Sequence, residues 1–105
     1  MAQFDVYINP GRKTKKAFPL LLDIQSNFLT SLTTRIVIPL GVSTVLNQNI
    51  MGKLTPQIDY RGEELYLMTN QIFTIQNRLL QNPIGSLSES RHTILNALDF
   101  AITGV

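Results

Sequence analysis

The start of the chain alternates apolar and polar residues with a period of two. Phe4, Val6 and Ile8 alternate with Asp5 and Tyr7, and an Asn-Pro-Gly run comes next. Period-two alternation is typical of a half-buried strand, and asparagine, proline and glycine favour turns. The pattern therefore predicts a first strand followed by a loop.

Two later segments predict strands that are buried more completely. Residues 18–24 are almost continuously apolar, and residues 34–40 are rich in β-branched side chains. Such runs are typical of strands covered on both faces or closed into a barrel. Each run contains a proline, Pro19 or Pro39, which lacks a backbone donor and is expected at an edge, a bulge or a strand end.

The second half of the chain predicts a hairpin, a further strand and a helix. Residues 57–60 and 64–69 flank a turn at Arg61-Gly62, and residues 72–75 are a candidate continuation of the sheet. Ser86 and Glu89 have the spacing of a capping box. Apolar residues then recur at helical spacing over about four turns: Leu87, Ile94, Leu95, Leu98, Ala101 and Ile102. We expect one mainly β domain over residues 1–105 with a C-terminal α-helix.

The composition is that of a folded protein without a membrane span. The hydrophobic fraction is 44% and the charged fraction 15%, which excludes a disordered chain and fits a surface partly covered in an oligomer. The longest apolar runs fall far short of the roughly 20 residues that a spanning helix needs. No secretion signal is visible, and the absence of cysteine suits a reducing compartment. We therefore expect a cytoplasmic protein.

The residues assemble no recognisable catalytic or metal site. His92 is the single histidine and, without cysteine, cannot build the usual zinc site. The glycines occur singly, so there is no phosphate-binding fingerprint, and no serine stands in a nucleophile turn. Glu63 and Glu64 are adjacent in a predicted strand and point to opposite faces. We expect no catalytic residue, no metal and no cofactor.

Four basic residues cluster in one stretch: Arg12, Lys13, Lys15 and Lys16. The whole chain has a net charge of +2, so the rest of the chain without these four has a net charge of −2. Such a cluster attracts nucleic-acid phosphates or an acidic protein segment, or forms a solvated loop. No aromatic residue is interleaved with it, which argues against nucleic acid.

Two apolar features occur where polar residues are expected. Phe28 and Leu29 interrupt a polar, turn-like run over residues 25–33, and the residues alone favour their folding back onto the core. The chain ends at positions 100–105 in small and apolar residues, which either dock on the protein's own core or contact a partner.

Four parts of the chain resemble the CcdB toxins of plasmid and chromosomal toxin–antitoxin modules. They are Gln3-Phe4-Asp5-Val6-Tyr7; Asp23-Ile24-Gln25-Ser26 with Thr34-Arg35-Ile36-Val37-Ile38-Pro39-Leu40; Leu54-Thr55-Pro56 with Leu67-Met68-Thr69; and Leu87-Ser88, Arg91, Ile94, Ala97 and Asp99 before Thr103-Gly104-Val105. The DxQS and RxVIPL pair with a penultimate glycine is the most specific part. The likeness extends over essentially the whole chain.

The resemblance implies an SH3-like barrel, shared with the MazF toxins, with a C-terminal helix and a two-fold homodimer. It implies a topoisomerase poison, not an enzyme, which enters the gyrase A dimer, traps the DNA-cleaved complex and serves plasmid maintenance. A CcdA-like antitoxin, through a disordered segment that folds on binding, would neutralise the toxin. The two proteins together would repress their operon, so operator DNA would be bound only through the antitoxin complex.

The site residues follow from the resemblance position by position. The implied gyrase contacts are Phe28, Leu29, Asp99, Ile102, Thr103, Gly104 and Val105. The antitoxin contacts are Arg12, Lys13, Lys15 and Lys16, because the partner segment is expected to be acidic. Thr103 departs from the family pattern, whose tryptophan stacks on a gyrase arginine, and threonine cannot supply that cation–π contact of roughly 0.5–2 kcal/mol.

A MazF-like endoribonuclease is the alternative on the same fold, because fold alone does not fix function. RNA cleavage needs a positioned acid, a base and a phosphate-binding group. Arg35, Arg61, Arg78 and Arg91 are scattered along the sequence without an evident partner base. The motifs therefore favour the gyrase poison, and a module that merely binds nucleic acid would rest on the basic cluster alone.

Overall fold

A curled antiparallel sheet and a C-terminal helix form the fold. The computed structural model describes residues 1–42 and 53–104. Its strands are β1 (Asp5–Ile8), β2 (Leu20–Asp23), β3 (Thr34–Val42), β4 (Gln57–Tyr60), β5 (Glu63–Leu67), β6 (Phe73–Gln76) and β7 (Gly85–Ser86), and its helix is α1 (Arg91–Thr103). The sheet curls into a half-barrel, which confirms the predicted mainly β fold with a final helix.

The long strand β3 organises the sheet. Within the described residues the strand order is β4-β5-β3-β2-β1-β7, with β6 also paired to β3. One edge of β3 pairs with β2. The other edge is shared, since residues 34–37 pair with β6 and residues 40–42 pair with β5. This change of partner along one strand is where the sheet bends.

Pro39 lies at the point where β3 changes partners. Val37, two residues before Pro39, pairs with Phe73 of β6, whereas Leu40, the next residue after it, pairs with Leu67 of β5. The carbonyl of Pro39 accepts from the Met68 N–H at 3.0 Å on that same edge. Because the nitrogen and oxygen of a strand residue point to the same side, the donor that proline lacks falls in the gap between β5 and β6. The proline therefore costs the ladder little.

The central strands are buried on both faces, as their apolar runs predict. Val6, Leu22, Ile38, Leu40 and Leu67 belong to the main core, which α1 covers. A smaller cluster on the opposite face contains Tyr7, Leu21, Val37 and Leu80. Neighbours along one strand thus enter different clusters, in keeping with the alternation of side chains across a sheet.

The helix begins later and buries a narrower face than the sequence predicts. Ser86 lies in β7, and its hydroxyl accepts from the Ser88 N–H at 3.1 Å. The predicted helix cap at Ser86 is therefore wrong, and the α-helix begins about one turn later, at Arg91. After a 3₁₀ turn at Ser88–Ser90, α1 runs for 13 residues. It buries Ile94 and Ala97 against the core, whereas Ala101 and Ile102 of the predicted stripe are exposed.

No helix in residues 1–42 or 53–104 is both long enough and apolar enough to cross a membrane.

Tyr7 is a buried phenol in the smaller cluster. Its side chain is 0% exposed, and its hydroxyl has no hydrogen-bond partner among the described residues. Burial above all, and then the charges of Asp5 and Asp23, raise the pKa of Tyr7 to about 12. The folded protein therefore resists ionisation of this phenol.

Tyr7→Phe should reduce the amount by which the free energy of unfolding falls at alkaline pH. The folded-state pKa of Tyr7 lies above its ordinary value of 10.0, so its contribution is complete below pH 10 and is lost as pH rises towards about 12. In urea unfolding, the free energy of unfolding should fall less between pH 9 and pH 12 in the variant than in the parent. Equal losses in the two proteins would contradict a buried, hard-to-ionise Tyr7.

Candidate partner-binding surfaces

The 3₁₀ turn Asn27–Leu29, which connects β2 to β3, carries two apolar side chains outward. Phe28 is 97% exposed and Leu29 42% exposed. The inward packing expected from the residues alone is therefore wrong. A phenylalanine so fully exposed gains nothing from the protein's own core, which makes the turn a candidate contact surface.

A buried ion pair lies beneath this turn. The side chains of Asp23 and Arg35 are 0% and 1% exposed, and Arg35 Nε donates to Asp23 Oδ2 at 2.7 Å. Arg35 Nη2 is also 2.7 Å from Oδ2 but lacks hydrogen-bond geometry. The other carboxylate oxygen, Oδ1, accepts from the Gln25 N–H at 2.9 Å. The pair thus joins the end of β2 to the start of β3.

The environment of Asp23 acts on its pKa in opposite directions. Burial raises the pKa of this carboxyl above its ordinary value, while the bonds from Arg35 and the Gln25 N–H lower it. Removing one partner would leave the other charge buried and alone, which costs about 3–5 kcal/mol in such pairs. Asp23 and Arg35 are therefore structural residues.

Gln25 and Ser26 connect the ion pair to the exposed turn. Gln25 Nε2 donates to the Leu29 carbonyl at 2.9 Å, and Gln25 Oε1 accepts from the Ile36 N–H at 3.2 Å. Ser26 Oγ accepts from the Phe28 N–H at 3.2 Å. The DxQS motif thus supplies the hydrogen bonds that fold the turn, a role that the sequence pattern did not reveal.

The N-terminal segment supports the same turn from another side. The Gln3 N–H donates to Asn27 Oδ1 at 2.8 Å, and Gln3 Nε2 donates to the Ile24 carbonyl at 3.1 Å. Phe4 donates its N–H to the Asp23 carbonyl at 2.6 Å and has a φ of 72°. Left-handed backbone is rare for an aromatic residue and persists only where surrounding contacts fix it.

The end of α1 forms a second exposed surface. Ile102 is 77% exposed and Asp99 and Thr103 are exposed beside it, so docking of Ile102 on the core is wrong. The Thr103 hydroxyl donates to the Asp99 carbonyl at 2.6 Å. Gly104 ends the helix with a φ of 77°, and its N–H donates to the Phe100 carbonyl at 2.9 Å. Val105 lies outside the described residues.

The basic stretch forms a solvent-exposed loop between β1 and β2. Arg12, Lys13, Lys15 and Lys16 are all exposed. Beside the loop is an open groove of about 410 Å³, whose far wall is apolar. That wall is formed by Phe73, Ile75 and Leu79. Positive charge and apolar surface therefore lie side by side.

The basic loop and the Phe28–Leu29 turn lie at opposite ends of β2. One loop enters this strand and the other leaves it, and β2 spans four residues, or roughly 13 Å. Within the described residues, no hydrogen bond or ion pair links the turn, the basic loop and the last turn of α1 to one another. The turn and the basic loop are therefore exposed at opposite ends of β2, and the last turn of α1 is a third exposed surface.

The family model described as CcdB protein matches residues 3–104. The chain belongs to the CcdB family. Members of this family are toxins of toxin–antitoxin modules, and the matched residues include the turn, the basic loop and Asp99 to Gly104. The resemblance found in the sequence is therefore confirmed.

The arginines considered for RNA cleavage lie on different elements of the described structure. Arg35 is buried with Asp23. Arg61 donates to the Ile84 carbonyl and lies 5.2 Å from the centre of the Tyr60 ring. Arg91 lies 5.6 Å from the centre of another ring, that of Phe4. The arginines considered for RNA cleavage are thus held in separate structural contacts, apart from the exposed Arg78.

Replacing Gly104 with L-alanine or D-alanine tests whether this position requires a positive φ or only the absence of a side chain. L-Alanine here should fray the end of α1, because left-handed backbone costs an L-residue about 1–2 kcal/mol. Beyond its chain neighbours and its own helix backbone, the Cβ of an L-residue here would meet no atom of the described residues within 4 Å, so this cost comes from backbone conformation, which a D-residue adopts readily. D-Alanine, introduced by semisynthesis, should therefore preserve the helix end in circular dichroism and amide exchange. Equal fraying with both enantiomers would contradict a requirement for positive φ.

Proposed function

We propose that this toxin binds the gyrase A subunit and traps the gyrase complex in which DNA is cleaved. The observation that carries the proposal is the 97% exposed Phe28 on a turn held by hydrogen bonds with the side chains of Gln25 and Ser26. An aromatic side chain on a rigid support loses little conformational freedom on binding, and such anchors often dominate interfaces. The protein then acts by contact in the cytoplasm, not as an enzyme.

The end of α1 supplies the remaining contacts. Asp99, Ile102 and Thr103 are exposed on its last turn, and we assign them to gyrase with Gly104 and Val105. The hydroxyl of Thr103 is directed back to the Asp99 carbonyl, which leaves its methyl group for a partner. Without a tryptophan at this position, the contact depends more heavily on Phe28 and Ile102.

A two-fold homodimer would combine the surfaces of two protomers. Gyrase A is expected as a dimer, and a symmetric pair of toxin protomers would present it with a matching two-fold surface. Two exposed ends of α1, each with Ile102, would then contribute to one composite site. This arrangement would also account for a low charged fraction of 15%.

The basic loop is assigned to a CcdA-like antitoxin. Its four exposed cations would attract an acidic segment and accelerate association. The apolar wall of Phe73, Ile75 and Leu79 would accept the hydrophobic side chains of that segment as it folds. Operator DNA would be bound through the toxin–antitoxin complex, since the remainder of the toxin carries no further basic cluster.

Deletion of residues 103–105 should abolish toxicity while sparing the fold. The deletion removes the last helical residue, Thr103, and the exposed tip, but no residue of the two buried clusters. The shortened protein should remain folded by circular dichroism, dimeric by sedimentation and able to bind antitoxin. It should no longer linearise DNA in the presence of gyrase.

His92→Ala is the matched control for this deletion, because His92 is exposed on the first turn of the same helix. This variant should keep full toxicity. A shortened protein that kills cells as well as the full chain, or an intact protein that cleaves RNA and leaves gyrase untouched, would refute the proposal.

A further inference from the structure

Two loops of this protein each close around one buried side-chain amide. Gln25 is 1% exposed beneath the Phe28–Leu29 turn, and Asn9 is 6% exposed beneath the basic loop. Each side chain uses both its oxygen and its nitrogen: Asn9 bonds within the basic loop, and Gln25 bonds to the turn and to β3. Replacing a buried amide whose oxygen and nitrogen are both hydrogen-bonded is costly, because the backbone groups that it bonds lose their partners.

We propose that Gln25 is a positioning residue for partner binding: it presents Phe28 and Leu29 to the partner without contacting the partner itself. The proposal rests on the assignment of this turn to gyrase under the proposed function. Its structural part, that Gln25 fixes the turn, can be tested without any partner.

The geometry shows why Gln25 controls the turn. Its Nε2 holds the Leu29 carbonyl at 2.9 Å, at the end of the 3₁₀ turn, while its Oε1 holds the Ile36 N–H of β3 at 3.2 Å. Its backbone N–H is fixed in turn by Asp23 Oδ1 at 2.9 Å. The exposed turn is thereby tied to the central strand through a single side chain.

Asn9 provides a control of the same chemistry at the other loop. Its Oδ1 accepts from the Gly11 N–H at 2.9 Å, and its Nδ2 donates to the Phe18 carbonyl at 2.7 Å. Loss of this amide also removes buried hydrogen bonds, but at the opposite end of β2. A general loss of stability would therefore affect both variants, whereas loss of positioning at the turn affects only the Gln25 variant.

The first test measures the turn directly. The chain has no tryptophan, so Phe28→Trp introduces a single fluorescent probe on the turn. Adding Gln25→Met, which keeps the length of the side chain but removes its hydrogen bonds, should increase the local mobility of the probe in time-resolved anisotropy. Adding Asn9→Leu should not. An unchanged probe with Gln25→Met would overturn the proposal.

The second test measures binding to purified gyrase A subunit. Gln25→Met should weaken binding about ten- to a hundredfold, from the loss of two partly buried hydrogen bonds that order the turn. In a double-mutant cycle, Gln25→Met should weaken gyrase binding much less when Phe28→Ala is already present, because the side chain that Gln25 positions is then absent. Additive losses, or an equal loss with Asn9→Leu, would overturn the proposal.

The two tests also separate this proposal from the proposed function. If Phe28→Ala binds gyrase as tightly as the parent, the gyrase assignment of the turn fails, and with it the binding role of Gln25. The anisotropy result would still decide whether Gln25 fixes the turn. Should Gln25→Met fail to fold, Gln25→Glu keeps the acceptor for Ile36 and removes the donor to Leu29, and it should likewise raise the mobility of the probe.

Discussion

The rest of this structure depends on the contacts that the buried carboxylate of Asp23 makes with Arg35 and Gln25. A charge at 0% exposure must find donors within the protein, and it finds them in the Arg35 side chain and the Gln25 backbone. Those two contacts fix how the chain leaves β2 and where β3 begins. The order of the connecting turn follows from this, and so does the outward direction of Phe28.

The antiparallel pairing of β2 separates the two candidate binding loops of this small protein. The loop before β2 is basic and the turn after β2 is apolar, and an antiparallel sheet places successive connections at opposite ends of a strand. Each loop has its own buried amide, Asn9 or Gln25, and is therefore held by its own hydrogen bonds.

The strands were largely predictable because their signals are local. Alternation predicts β1, and apolar and β-branched runs predict β2 and β3, and all three strands are present. The direction of Phe28 was not predictable from pattern, because it depends on a hydrogen-bond network between residues 12 positions apart in the sequence. The resemblance to CcdB toxins predicts Phe28 and Leu29 as contacts and includes the DxQS motif, but it does not reveal that this motif supplies the hydrogen bonds of the turn.

The late start of the helix has a similar cause. Ser86 and Glu89 match a capping box, but β7 pairs with β1 and retains Ser86 in the sheet. A tertiary contact therefore overrides the local signal, and the first turn after Leu87 is 3₁₀. Local patterns located the elements, whereas long-range pairing set their ends.

The proposed function assigns gyrase and the antitoxin to different loops of this toxin. Hydrogen–deuterium exchange of the protein, with and without purified gyrase A subunit, tests the gyrase part of this assignment most directly. The account predicts that gyrase slows exchange at residues 26–30 and 99–104 and leaves residues 11–17 unchanged. Protection of residues 11–17 by gyrase, with no change at residues 26–30, would contradict it.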